Sequence, residues 1–386
     1  MTEKDTSRDK RIKLLQSIQS LRKSKVITYI CGDRQGGPQA QIGGDAVRPM
    51  YDHLRILDHV ENIDIFIYSM GGAIEVPWRM VTMFREHCDR LSILIPYHAH
   101  SAATLLALGC DEIVMGKKAE LGPIDPSITF SRFEGTEVKE NIAIEDVMAF
   151  IAFIKDNVPK QRQEALTQGL SKLTDKLTPW NVGKIYRTHS HIRMVAERML
   201  DSHNTSLGKK IQDKAVKILA EEIYSHGHAI CRKEAKEIGL PIIDAEPGLD
   251  DLMWELFESY EDLLQLRDPI DVNSQFSGDA DEANIDVILA AIESEKKTTL
   301  YSGDLKLKRY RSTPPNININ FNVGVSLPPN IPQDQFPEQL QQAVNHALQN
   351  FQRQAPQLVK EQTKQQSPVL KIDSQLRNSA WRNTSG

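Results

Sequence analysis

Asp64-Ile65-Phe66-Ile67-Tyr68-Ser69-Met70-Gly71-Gly72 starts as a short apolar strand and ends in a glycine pair, with a helical pattern following from Ala73 to Cys88. The same design returns at once. Leu91-Ser92-Ile93-Leu94-Ile95-Pro96 reads as a strand and Tyr97-His98-Ala99-His100 as a turn. Ser101 then opens a helix of small and apolar residues, Ala102 to Gly109. A further strand, Asp111-Glu112-Ile113-Val114-Met115, and the turn Leu121-Gly122-Pro123-Ile124-Asp125-Pro126 close the unit. Strands alternating with helices imply an α/β fold with a parallel sheet and right-handed crossovers. Sites in such sheets form where strands give way to helices. Gly71 and Gly72 permit close approach of backbone N–H groups to a ligand, and Ser101 stands beside the free N–H groups of a helix start. Taken singly, a Gly-Gly is a tight turn and a helix-opening serine is a cap. Taken together, they supply a nucleophile and an oxyanion cradle on adjacent strand ends.

Outward from this stretch, the chain of 386 residues is long enough for one large core or two domains. Its formal charge of −5 gives no footprint for nucleic acid. Cys31, Cys88, Cys110 and Cys231 are widely spaced, and are read as free thiols of a reducing compartment. The opening Met1-Thr2-Glu3-Lys4-Asp5 lacks an apolar leader, and no apolar run approaches the ~18 residues of a membrane span. A cytoplasmic location without an integral membrane segment is therefore expected.

Residues 1–24 carry a helical stripe of Ile12, Leu14, Leu15, Ile18 and Leu21, suited to packing on its own domain or a neighbouring subunit. Val26 to Ile30 reads as the first strand, Gly32 to Gly44 as a loop, and Asp45 to Ile56 as a helix. Beyond 130, Ser131 to Glu140 is polar and read as exposed. Helical periods then run through 144–154, 161–170, 182–200 and 207–225, a helical insert over 131–224. Residues 225–265 are read as a closing strand and helices of the core, and 266–386 as a polar, largely disordered tail. Within that tail a short helix is expected over Ile285 to Ser294, a strand over Asn316 to Leu327 and a helix over Pro337 to Phe351.

Ser69-Met70-Gly71-Gly72, His100-Ser101-Ala102-Ala103, Cys110-Asp111-Glu112-Ile113-Val114-Met115 and Leu121-Gly122-Pro123-Ile124-Asp125-Pro126 resemble the Clp-protease/crotonase superfamily. Within it, the chain is most similar to the serine dehydrogenase proteinase family, relatives of signal peptide peptidase A. The resemblance spans about Lys25 to Asp244. It implies a spiral of repeated β-β-α units and assembly into a homo-oligomer. It also implies Ser101 as nucleophile and Gly71, Gly72 and the N–H of Ala102 as oxyanion hole. The partners of the serine depart from the pattern. The slot that holds the base histidine in the Clp peptidase carries Asp125, and the acid slot matches Gly227, flanked by His226 and His228. The roles are thus read as exchanged, with His226 as base and Asp125 as orienting carboxylate, because geometry rather than order makes a triad. His228 is the alternative histidine. Lys155, at the end of an apolar helical face where burial could depress its pKa, is the alternative lysine base. No metal and no cofactor is expected.

Three functions fit these residues. The first is a serine peptidase acting on peptide or protein substrates. The others are a crotonase-like enzyme acting on an acyl thioester, and a non-catalytic oligomeric scaffold. The first alone uses the serine. On this reading the glycine pair is a cradle rather than a structural turn, so a side chain at Gly72 is expected to remove activity and leave thermal stability unchanged.

Overall fold

The computed structural model describes residues 3–124, 127–133, 137–157, 163–223, 227–312, 332 and 336–384. In chain order, α1 (Glu3–Arg22) precedes β1 (Lys25–Cys31), α2 (Val47–Leu57), β2 (Val60–Tyr68), α3 (Val76–Arg85) and β3 (Cys88–Ile95). A short β4 (His98–Ala99) leads to α4 (Ala102–Leu108), β5 (Glu112–Met115) and β6 (Glu120–Leu121). The hairpin β7 (Ser127–Phe133) and β8 (Glu137–Ala143) is followed by α5 (Ile144–Asn157), α6 (Gln163–Lys176) and α7 (Pro179–Asp201). Then come α8 (Lys209–Lys217), β9 (Ile230–Cys231), α9 (Arg232–Ile238), β10 (Ile242–Asp244) and α10 (Pro247–Leu264). Last are β11 (Glu282–Ser294), β12 (Lys297–Arg311), α11 (Phe336–Gln366) and β13 (Val369–Asn383).

The main sheet has eight strands in the order β10-β5-β3-β2-β1-β11-β12-β13. The run from β1 to β10 is parallel, as strands alternating with helices require, and β11 joins β1 antiparallel. Side chains alternate across each strand. Ile27, Tyr29, Ile65, Ile67, Ile93, Ile95, Ile113 and Met115 face one apolar layer with α2, α3, α4 and α7. Val26, Ile30, Phe66, Tyr68, Leu94 and Val114 face the other, with α1 and α10. Near-continuous apolar strands are what a parallel sheet covered on both faces demands.

Leu14, Leu15 and Ile18 of α1 are buried in that second layer, so the stripe packs on its own domain, whereas Leu21 remains 59% exposed. The same layer contains a satisfied ionic network. Arg11 donates twice to the Glu293 carboxylate, at 2.6 and 3.0 Å, and the Tyr260 and Thr298 hydroxyls donate to it at 2.6 and 2.9 Å. The insert has its own apolar cluster of Ile144, Val147, Leu177 and Ile185. The far half of α7 (Ile192, Val195, Ala196, Met199) belongs to the main core.

By contact density the chain forms two units, 1–270 with 287–303 and 379–386, and 271–286 with 304–378. The second contains α11 and an ion-pair group in which Asp281 meets Arg311 and Lys364, both at 2.7 Å.

Two expectations are corrected. Ile285 to Ser294 is not a helix but most of β11, because its apolar run pairs along β1, with Ile292 opposite Tyr29. The polar stretch 131–140 contributes its described residues to β7 and β8, paired through Ser131↔Lys139 and Arg132↔Val138. Within the stretch read as tail, β12 extends the main sheet, with Leu305 and Leu307 buried between Lys306 and Lys308. The strand expected over 316–327 lies outside the described residues.

Candidate active site

Two turns, one after β2 and one after β3, are stitched edge to edge. Ser69 N–H donates to His98 O at 3.0 Å, and His100 N–H donates back to Ser69 O at 3.0 Å. This brings Gly71 against Ser101. A methyl group on Gly71 would stand 2.7 Å from Ser101 Cβ and 3.2 Å from its Oγ. The two turns expected from the sequence thus meet at the Ser101 side chain.

Ser101 has φ +52° and ψ −114°, a backbone region that residues other than glycine rarely visit. Such a conformation costs on the order of 1–3 kcal/mol and persists only where the surroundings fix it. Here they do. Leu105 N–H donates to Ser101 O at 3.0 Å and Ala103 N–H to His100 O at 2.9 Å. The buried Thr104 hydroxyl is shared between the Ala99 and Gly122 carbonyls at 2.7 and 2.8 Å, tying both flanking turns to α4. Among the described residues, none hydrogen-bonds the Ser101 hydroxyl, which is half-buried.

Of the amides expected as oxyanion donors, one already has an acceptor. Gly71 N–H donates to the buried Ser69 Oγ at 3.0 Å, so it is already engaged by the turn itself. Gly72 is the available member of the pair. Ile42 lies alongside it, with Ile42 N–H donating to Gly71 O at 2.8 Å and Ala73 N–H to Ile42 O at 2.9 Å. A parallel bridge of this kind leaves the N–H of Gly72 on the side away from Ile42. Ala102 is the first residue of α4, so its N–H has no intrahelical acceptor.

A polar cluster that sequence reasoning did not assemble lies next to the serine. His98 and His100 stack with centroids 5.0 Å apart. Their Nε2 atoms stand 3.1 and 3.3 Å from the same Glu120 oxygen. Burial, then the neighbouring His100, lower the His98 pKa to about 4, against the opposing pull of Glu120. The signal was present: parallel pairing of β4 with β6 sets His98 opposite Glu120.

Of the other candidates, Asp125 and His226 lie outside the described residues. His228 is exposed and hydrogen-bonds through Nε2 to the Glu234 carboxylate at 2.9 and 3.1 Å. Lys155 is exposed near the end of α5, so the burial that would suit it as a base is missing. No described helix is long and apolar enough to cross a membrane.

A sequence profile of ClpP-like SDH-type serine proteinases matches residues 2–193. The chain is 24% identical over 277 residues to uncharacterized protein MJ0137 of Methanocaldococcus jannaschii, covering 68% of this chain and 82% of that protein. Uncharacterized protein MJ1495 of the same organism is 38% identical over 66 residues, 17% of this chain and 23% of that one. Among solved structures, ClpP1 from Listeria monocytogenes is 14% identical at a TM-score of 0.31, covering 60% of this chain and 98% of that chain. The 1510-N membrane-bound stomatin-specific protease is 22% identical at a TM-score of 0.23, covering 34% and 63% respectively.

Proposed function

Because residues 2–193 belong to the ClpP-like SDH-type serine proteinases, we propose that this chain is a peptidase that hydrolyses peptide bonds through an acyl-enzyme on Ser101. The observation that carries the reading is the packing of a positive-φ serine at the start of α4 against Gly71, with the Ala102 amide next in the chain.

Ser101 Oγ attacks the scissile carbonyl carbon while its proton passes to the base. The carbonyl oxygen becomes an oxyanion held by Gly72 and Ala102 N–H groups. Collapse breaks the C–N bond, and the base returns its proton to the departing amine. Water then attacks the ester, again giving up a proton to the base, and the acid leaves with Ser101 restored.

His226 is the base of this scheme and Asp125 its orienting carboxylate. The reading rests on residue types, an acid and a histidine in exchanged slots, that flank the Leu121–Ile230 pair of β6 and β9 in sequence. Asp125 stands four positions after Leu121, and His226 four positions before Ile230.

Assembly as a homo-oligomer and a cytoplasmic setting complete the proposal. Trp180, Tyr186 and Phe153 of the insert are 87%, 64% and 64% exposed, an apolar surface that a second subunit would cover. Cys31, Cys88 and Cys110 are buried free thiols, as suits a reducing compartment. A fluorophosphonate probe tests the reaction. The wild type should be labelled at Ser101 and Ser101→Ala should not. Absence of label on the wild type would favour a thioester enzyme or a scaffold.

A further inference from the structure

The end of the chain, outside the residues that match the family, is fastened to the loop beside the glycine turn. Trp381 Nε1–H donates to Asp45 Oδ2 at 2.9 Å. Its indole has ring centroids 6.4 Å from Tyr29 and 5.2 Å from Tyr301. The residues around it are tied down as well. Tyr301 hydroxyl donates to Ser379 Oγ at 3.0 Å, Thr299 hydroxyl to Asn383 Oδ1 at 3.1 Å, and Thr384 N–H to Thr298 O at 3.2 Å.

Asp45 belongs to the single helical turn Gly44–Ala46, closed by Ala46 N–H donating to Gly43 O at 3.1 Å. Its other carboxylate oxygen packs so tightly on the backbone that a methyl group on Gly43 would stand 2.3 Å from it. Immediately before Gly43 is Ile42, whose two backbone hydrogen bonds clamp Gly71 and Ala73. Ile42 leaves Gly72 no lateral room, since a methyl group there would lie 2.3 Å from Ile42 O. A line of direct contacts thus runs from Trp381 through Asp45, Gly43 and Ile42 to Gly72.

We propose that Trp381 is a positioning residue of the active site: it fixes the segment from Ile42 to Ala46 and, through Ile42, the direction of the Gly72 N–H. This rests on Gly72 serving as oxyanion donor to a reaction at Ser101. It makes the C-terminal end part of the catalytic apparatus, although that end touches no reacting atom. A misplacement of about 1 Å remote from the chemistry can cost on the order of 10²-fold in rate.

Trp381→Ala and Trp381→Phe, which keeps a ring but loses the indole N–H, should be compared with Asp45→Asn, which keeps an acceptor, and Asp45→Ala. Two readouts apply to each. The first is the rate constant and half-saturation of fluorophosphonate labelling at Ser101. The second is hydrogen exchange of the Ile42 and Ala73 amides in the full chain. Trp381→Ala should slow labelling by ~10-fold or more at unchanged half-saturation. It should speed exchange at Ile42 and Ala73 while β3 and β5 stay protected. Trp381→Phe and Asp45→Ala should follow in part, and Asp45→Asn should behave like wild type. Wild-type exchange at both amides in Trp381→Ala and Trp381→Phe overturns the proposal, as does unchanged labelling alongside faster exchange. A wild type that never labels at Ser101 overturns the peptidase reading and the catalytic role of Trp381 with it, even if faster exchange shows the mechanical link.

Discussion

Gly71 and Ser101 share a space that holds one side chain: a methyl group on Gly71 would lie 2.7 Å from Ser101 Cβ and 3.0 Å from His100 O. Gly71 also has φ +115°, which L side chains rarely adopt. Gly71→Ala should therefore displace the serine, reducing fluorophosphonate labelling by ~10²-fold or more. Gly248→Ala, in α10 with nothing within 4 Å of the new methyl, is the control that should label normally.

Gly72→Val will not separate activity from stability, contrary to the expectation drawn from sequence. The new Cβ would meet Ile42 backbone atoms at 2.3 and 2.5 Å, and φ is +152°. Backbone cannot rotate aside as a flexible side chain does, so even Gly72→Ala should cost about 1–3 kcal/mol. Urea midpoints would show it, and a midpoint equal to wild type would mean that Ile42 yields freely. The pair is a tight turn whatever further role it has.

The parallel core was legible because apolar runs such as Ile63 to Tyr68 and Leu91 to Ile95 are long, bounded by turn residues and separated by helical periods. The turns that carry Ser101 and the glycines were legible because each follows such a strand. Other features depend on partners distant in sequence. The Ile285–Ser294 run satisfies a helical period as readily as a strand, and only pairing with β1 decides between them. Gly71 N–H looked free until Ser69 Oγ was found to accept it. The Trp381–Asp45 bond spans nearly the whole chain and has no local signature. One strand was overlooked rather than hidden: Leu305-Lys306-Leu307-Lys308 alternates plainly.

Glu293→Ala should be among the most destabilising changes in the chain. It would leave the Arg11 guanidinium, 3% exposed, without its carboxylate and Tyr260 without its acceptor. Loss of one partner of such a pair costs about 3–5 kcal/mol. Replacing both members, Arg11→Met with Glu293→Leu, should recover much of that loss, because no charge then remains buried. Denaturant unfolding of the three variants checks the order. An equal loss in single and double variants would show that the network matters by shape rather than charge.

Acid should loosen the fold at His53 before most carboxylates protonate. The imidazole is fully buried, with Nδ1 2.9 Å from Ser294 Oγ and Nε2 3.0 Å from Thr299 Oγ1. Burial, then the charge of Lys297, lower its pKa from 6.5 to about 4. Between these values the unfolded chain binds the proton and the folded one does not, so stability falls as pH drops through that window. A shift of this size corresponds to about 3 kcal/mol. His53→Gln removes this titration and should make the pH dependence of the urea midpoint between pH 6.5 and 4 shallower, with His98, lowered likewise, keeping part of the slope. A slope as steep as wild type would assign the effect to other groups.

The identity of the base is decided by pH and by two substitutions. A histidine acting on Ser101 must be neutral to accept the hydroxyl proton, so labelling and peptide hydrolysis should rise through about pH 6 to 7 and then level off. Lys155 is exposed on α5. His228 is occupied by Glu234 on the surface. His226→Ala should therefore lose labelling by ~10²–10⁴-fold, the usual span for a general base. Lys155→Ala and His228→Ala should label like wild type. Full labelling of the His226 variant with loss in the Lys155 variant would replace the triad by a serine–lysine dyad. Retention in all three, with Ser101 still labelled, would turn attention to His98 and His100, the two imidazoles that Glu120 holds beside the nucleophile.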